Sequence, residues 1–268
     1  MITSMISWRE VIENEGVLPA DVSPEDAVAE LSEMLRAADP VTRDEVAFTA
    51  LSRLIPRLSP PLRRRLGDTM SARFRDAEVQ ARTFAPLVLA CLIRAGEFDL
   101  SWLAAFEAWY PCEQDLRGYD PELGWLHAVA HGADLLAAFG SGCPQVKPER
   151  MLKLAVDRLL AKTEYVLRDQ EDDRLAYAMA LTLTREELTE VTATMWLEPV
   201  AADFAQGEPG PVPAHATNTM RALRLLYLLV DRGVHPRWGK EKAVLVRHRE
   251  TVKQRLAEVL AVVAPFAG

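Results

Sequence analysis

Cysteine is scarce in this chain. Cys91, Cys112 and Cys143 are odd in number and share no C-x-x-C spacing, which excludes a disulfide framework and a cysteine-rich zinc site and fits a reducing cytoplasm. A basic surplus is also missing. With 39 acidic against 31 basic residues and a net charge of −8, broad electrostatic binding to nucleic acid or to an anionic membrane is not expected. The basic runs Arg63-Arg64-Arg65 and Arg247-His248-Arg249 lack interleaved aromatics and read as solvated helix faces. No stretch reaches the ~20 apolar residues of a membrane span. Near the N-terminus, Trp8, Arg9, Glu10 and Glu13 interrupt the apolar run that a secretory signal needs. A protein neither exported nor membrane-spanning is therefore expected. The G-x-S-x-G elbow, the P-loop and the dinucleotide glycine fingerprint are absent, and Ser141, between Gly140 and Gly142, falls at a helix end.

What is present is helical periodicity. Hydrophobic residues make up 49% of 268 residues, enough for a core without staples. Ser23-Pro24-Glu25-Asp26 opens a helix with a cap, a first-turn proline and acidic residues at the positive end, and that helix should run to about Ala38. After Pro40 come Val46, Leu51, Leu54 and Ile55, and after Ser59-Pro60-Pro61 come Leu62, Leu66, Met70 and Phe74, each set at core spacing. The segment Glu78 to Ala95 is apolar on most faces, as in a helix covered on both sides. Further helices are expected over Asp99–Tyr110, Glu122–Phe139, Pro148–Ala161, Asp172–Leu183, Glu186–Phe204, Thr217–Asp231 and Lys240–Val263. Many helices joined by short loops predict an all-α fold, read as an α–α superhelix, a HEAT-like solenoid of helical hairpins, with an irregular helical bundle as the competing arrangement. The Gly207–Pro213 break leaves too few helices behind it to bury a core, so residues 1–268 are expected to form one domain.

Chemistry concentrates in the helix expected from Glu122. At 100° per residue His127, His131 and Asp134 lie at about 0°, 40° and −20°, one narrow face, with Trp125, Val129 and Leu136 opposite. On this reading the stripe faces away from the core, the small Ala128 and Ala130 leave room for an approaching segment or ligand, and Trp102, Trp109 and Trp125 belong to the core. Imidazoles at i and i+4 can reach one divalent ion, and Asp134 can join them or orient a ring. Ala128, however, stands where an H-E-x-x-H motif has glutamate. The alternative is that these side chains only make hydrogen bonds in a polar groove. Arg117, Tyr119, Asp120 and Glu122 lead into the same helix; Arg117 suits a carboxylate or phosphate, or an internal salt bridge. The acidic run Asp169-Gln170-Glu171-Asp172-Asp173-Arg174 reads either as helix capping or as further ligands, and His215 as a loop histidine before Asn218 and Arg221.

Arg117-Gly118-Tyr119 and Gly124-Trp125-Leu126-His127-Ala128-Val129-Ala130-His131-Gly132-Ala133-Asp134, with weaker matches at Arg43-Asp44, Arg82-Thr83-Phe84, Glu171 to Leu175, and Asn218 with Leu223 and Tyr227, resemble a bacterial family known as a domain of unknown function. The resemblance implies a HEAT-like all-helical fold and no established activity. Two functional readings follow. One is an enzyme acting on a small anionic molecule, with His127, His131 and Asp134 as the catalytic set, His127 and His131 as ligands of a divalent metal or as acid/base groups, and Arg117, Tyr119, Glu171, Asp173, Arg174 and Asn218 contacting substrate. The other is a non-catalytic solenoid scaffold that binds a peptide or protein along the same surface.

Overall fold

The computed structural model describes residues 6–208, 210–236, 242–264 and 266. These residues are overwhelmingly helical, so the all-α expectation holds, and the chain divides into two compact units. The first comprises Met1–Trp109 with Arg117–His131; the second comprises Tyr110–Leu116 with Gly132–Gly268.

The first unit contains α1 (Trp8–Glu13), α2 (Pro24–Met34), a π-helical segment Val41–Phe48 running into α3 (Thr49–Leu54), α4 (Pro60–Ala72), α5 (Val79–Arg94) and α6 (Leu100–Trp109). The cap read at Ser23 is formed: its Oγ accepts from the Asp26 N–H at 3.3 Å. The helix it opens stops at Met34, short of Ala38. Asp39 then caps the π segment, accepting from the Thr42 N–H at 2.9 Å. The wider π turn alters the inner face, so Arg43 and Ala47 are buried where helical spacing points to Val46, which is only half-buried. α4 packs on α5 and α6. The α4–α6 crossing requires Gly67, where a Cβ would lie 2.0 Å from the Trp102 ring. Leu66, Met70, Phe84, Val88, Trp102 and Phe106 fill the interior.

A short antiparallel hairpin closes this unit. β1 (Tyr119–Asp120) pairs with β2 (Gly124–Trp125), placing Tyr119 opposite Trp125. The helix expected from Glu122 is thus absent over its first six residues: Pro121 cannot continue a backbone ladder, the Asp120 carboxylate accepts from the N–H groups of Glu122 and Leu123 at 2.9 Å, and Gly124 turns at φ +72°. α7 begins only at Ala128 and runs to Gly142.

In the second unit α7 continues from Gly132, followed by α8 (Pro148–Leu160), α9 (Glu171–Thr182), α10 (Glu198–Ala205), α11 (Ala214–Arg232) and α12 (Arg249–Ala261). α11 is the central element, packed against α8, α9 and α12. Gly140 lets α7 and α9 close up, since a Cβ there would sit 2.1 Å from the Thr182 hydroxyl. The long helix expected over Glu186–Phe204 is broken: turns lead to a 3-10 turn at Met195–Leu197, and only then does α10 form. The helix expected from Lys240 starts at Arg249, after a Val234–Val244 bridge and a left-handed His248 (φ +53°); Lys240 and Glu241 lie outside the described residues. Among the described residues no helix is long and apolar enough to cross a membrane.

Candidate functional site

His127 is not a helical residue. It has φ +52°, and its carbonyl accepts from the His131 N–H at 2.8 Å, so it stands as the N-cap of α7. A β-carbon disfavours this left-handed conformation, and such residues persist only where surroundings hold them. Here its ring lies flat on Trp125, with centroids 4.6 Å apart and 4° between planes. Trp125 in turn meets Tyr119 edge to face at 5.0 Å across the hairpin. Both outer rings are open: Tyr119 is 53% and Trp125 45% exposed, against the sequence expectation of a core tryptophan. The expectation failed because the strand reverses which side of residue 125 faces inward.

His131 sits one helical turn further in and is buried. Its Nδ1 lies 2.9 Å from the Thr83 carbonyl oxygen, which can only accept, so Nδ1 carries a hydrogen. Its ring meets Phe84 edge-on at 5.0 Å and His127 at 5.7 Å. Four rings therefore run in contact from solvent to core: Tyr119, Trp125, His127, His131. Ala128 and Ala130, expected to leave room beside the histidines, are buried. Arg117 pairs with Asp120 in the same hairpin, the internal salt bridge among the two readings of its guanidinium.

The remaining candidates lie in the second unit, where the described contacts run to side chains and backbone of that same unit. Asp134 accepts a two-pronged bond from Arg174, Nε to Oδ1 at 3.0 Å and Nη2 to Oδ2 at 2.7 Å. Glu171 is sealed from solvent and its Oε2 accepts from the Asp169 N–H at 2.9 Å, a local bond that ties the preceding turn to the start of α9. Asp172 is equally buried against Arg221, Nε to Oδ2 at 2.8 Å; burial pushes its carboxyl up, and the arginine works against that. Asp173 is half-buried in the same turn. Asn218 clamps the 165–167 backbone, its Oδ1 accepting from Leu167 N–H and its Nδ2 donating to the Tyr165 carbonyl, both at 3.0 Å.

His215 was expected on a solvent loop but is buried in the first turn of α11, because that helix starts three residues earlier than the sequence suggested. Its Nε2 lies 2.8 Å from Lys162 Nζ and 3.2 Å from Asp203 Oδ2. Burial would raise the Asp203 carboxyl, yet the hydrogen bond from Lys162 and the charges of His215 and Lys162 outweigh it and hold Asp203 below its ordinary value. Lys162 and Asp203 carry no local signal, since the chain brings them together from sites 41 residues apart. Arg43 was legible only as a resemblance, and nothing in its neighbours marks it as buried.

Residues 72–228, more than half of the chain, match a family described as "Protein of unknown function (DUF2785)". The chain belongs to this family. The DUF2785 match spans the hairpin, His127, His131, Asp134, the acidic start of α9 and Asn218, and leaves Arg43 outside it. No curated protein and no solved structure matches the chain.

Proposed function

We propose that the first unit carries a site for a small organic molecule, on which the His127–His131 pair performs proton transfer. The observation that carries this reading is the unbroken run of rings from exposed Tyr119 and Trp125 to buried His131. Exposed aromatic faces give binding area at small entropic cost. A histidine whose Nδ1–H is held by a backbone carbonyl presents Nε2 in a fixed direction, as a general base requires. The strained backbone of His127 adds support, because strain of that kind collects at working sites. A divalent ion on the two imidazoles has less behind it: among the described residues no group of three His, Cys, Asp or Glu is placed to hold one.

The test is a fragment screen by NMR on the intact protein, reading the Trp125 indole and the histidine ring signals, followed by incubation of each hit and analysis of the products. Hits should perturb Trp125 and His127 together and weaken about thirtyfold in Trp125→Ala, the ~2 kcal/mol of a recognition hot spot. Chemical change in a hit should require both His127 and His131. Hits that bind Trp125→Ala as tightly as the wild type would place the site elsewhere. Binding of peptides at the same rings, with no hit ever altered, would turn the assignment to the scaffold reading.

A further inference from the structure

Arg43 has no solvent exposure, and its guanidinium bonds the entry to the π segment on one side and the hairpin on the other. Nη1 donates to the carbonyls of Ala37 and Ala38 at 3.2 and 3.3 Å, at the entry to the π segment. Nη2 donates to the carbonyls of Leu123 at 2.6 Å and Trp125 at 3.3 Å, the residue before β2 and the last residue of β2. The Asp44 carboxylate lies 2.7 Å from Nε and supplies the opposing charge; burial pushes that carboxyl up, and Arg43 counteracts the shift. The guanidinium also stacks 4.9 Å from the Phe84 centroid, the ring against which His131 leans. Gly124 lets this happen: a Cβ there would lie 2.8 Å from Pro40 Cβ and 3.5 Å from Arg43 Nη2.

We infer that Arg43 is the positioning residue of the ring site, fixing Trp125 through the hairpin carbonyls and His131 through Phe84. The role does not follow from burial alone. A buried charge costs several kcal/mol unless fully bonded, and an apolar residue would fill the same space more cheaply. What an arginine adds is a planar set of five donors able to hold carbonyls from two chain segments at once, which the three-donor point charge of lysine cannot reproduce. The inference rests on the proposed function only where ligand affinity is concerned, because the placement of Trp125 is measurable by itself.

The experiment uses the full chain labelled with 5-fluorotryptophan. The Trp125 signal among the six tryptophans is assigned with Trp125→Phe, and its exposure is read by a soluble paramagnetic agent. Arg43→Lys should shift the Trp125 signal, raise its exposure to the agent and weaken any ring-site ligand about tenfold. Leu54→Ala, a core truncation in α3 beside Gly16, serves as the stability control: it should lower Tm while leaving the Trp125 signal in place. If Arg43→Lys lowers Tm but leaves the Trp125 signal and its exposure unchanged, Arg43 is a structural residue and the inference falls. Should Arg43→Lys fail to fold, Gly124→Ala presses on β2 at the same contact and must move the Trp125 signal; an unmoved signal again overturns the inference. Ligands insensitive to Trp125→Ala defeat the proposed function, yet the fluorine signal still decides the role of Arg43.

Discussion

The hairpin end of the first unit and the start of α9 in the second hold side chains of the same kinds, and the fold uses them in opposite ways. At α9 the described bonds of Asp134, Asp172, Arg174, Asn218 and Arg221 run to one another or to backbone groups of the 165–167 connection. At the hairpin, Arg43 and Asp120 bond the backbone at its base, while Tyr119 and Trp125 are about half exposed, with a histidine stacked behind them. An ionic network bonded within the fold gives a unique arrangement of backbone. Open rings over a rigid base give contact area that costs the folded state little to keep. The difference separates a stretch whose polar groups bond within the fold from one that turns aromatic faces to solvent.

The sharpest way to break that contrast is Arg174→Met. Asp134 keeps only 11% of its side chain exposed, so removing its partner leaves a largely buried carboxylate without its two-pronged bond. Such losses cost about 3 kcal/mol, read as a fall in urea midpoint, while ring-site ligand affinity stays at the wild-type value. Trp125→Ala should do the reverse, with stability within about 0.5 kcal/mol of wild type, as for exposed positions. If Arg174→Met abolishes ligand binding with the fold intact, the structural assignment of the α9 network is wrong.

Asn218→Ala comes next. The buried Leu167 N–H loses its acceptor and the Tyr165 carbonyl its donor, at a cost of about 1–3 kcal/mol for buried polar groups left unpaired. Hydrogen exchange should locate the loss: the Leu167 amide is expected to lose protection first, before those of α11. Uniform loss across the unit would mean that Asn218 does not act as a local clamp.

How far these assignments were legible in the sequence depended on the range of the forces involved. The buried sets at Leu62, Leu66, Met70 and Phe74, and along α5, obey one period, and α4 and α5 formed as read. The hairpin at 119–125 is readable in principle, since Asp120-Pro121 and Gly124 are turn signals, but only the first of them stands outside the helix expected from Glu122, where the histidine spacing outweighs Gly124. The π turn that buries Arg43, and the bond from Arg43 to a carbonyl 80 residues away, leave no local trace. Asp134 and Arg174, 40 residues apart, were each visible as charged residues, yet only the folded chain shows that they neutralise one another.

The smallest effect concerns Asp203, a polar group neither sealed like Asp134 nor open like Trp125, and it sharpens the contrast by grading between them. Its carboxyl is held below the ordinary value of 3.8 in the folded protein. The folded state therefore binds that proton more weakly than the unfolded state, and the ion pair with Lys162 stabilises the protein at pH values above 3.8. The contribution disappears as pH falls through the lower folded value. Asp203→Asn should lower Tm modestly at neutral pH, and the difference from wild type should shrink as the pH is taken below 3.8, once the wild-type carboxyl is protonated. Because Lys162 is largely exposed, solvent screening keeps the neutral-pH loss near ~1 kcal/mol or less. A Tm difference that stays constant across the acid range would show that Asp203 contributes by packing and not by charge.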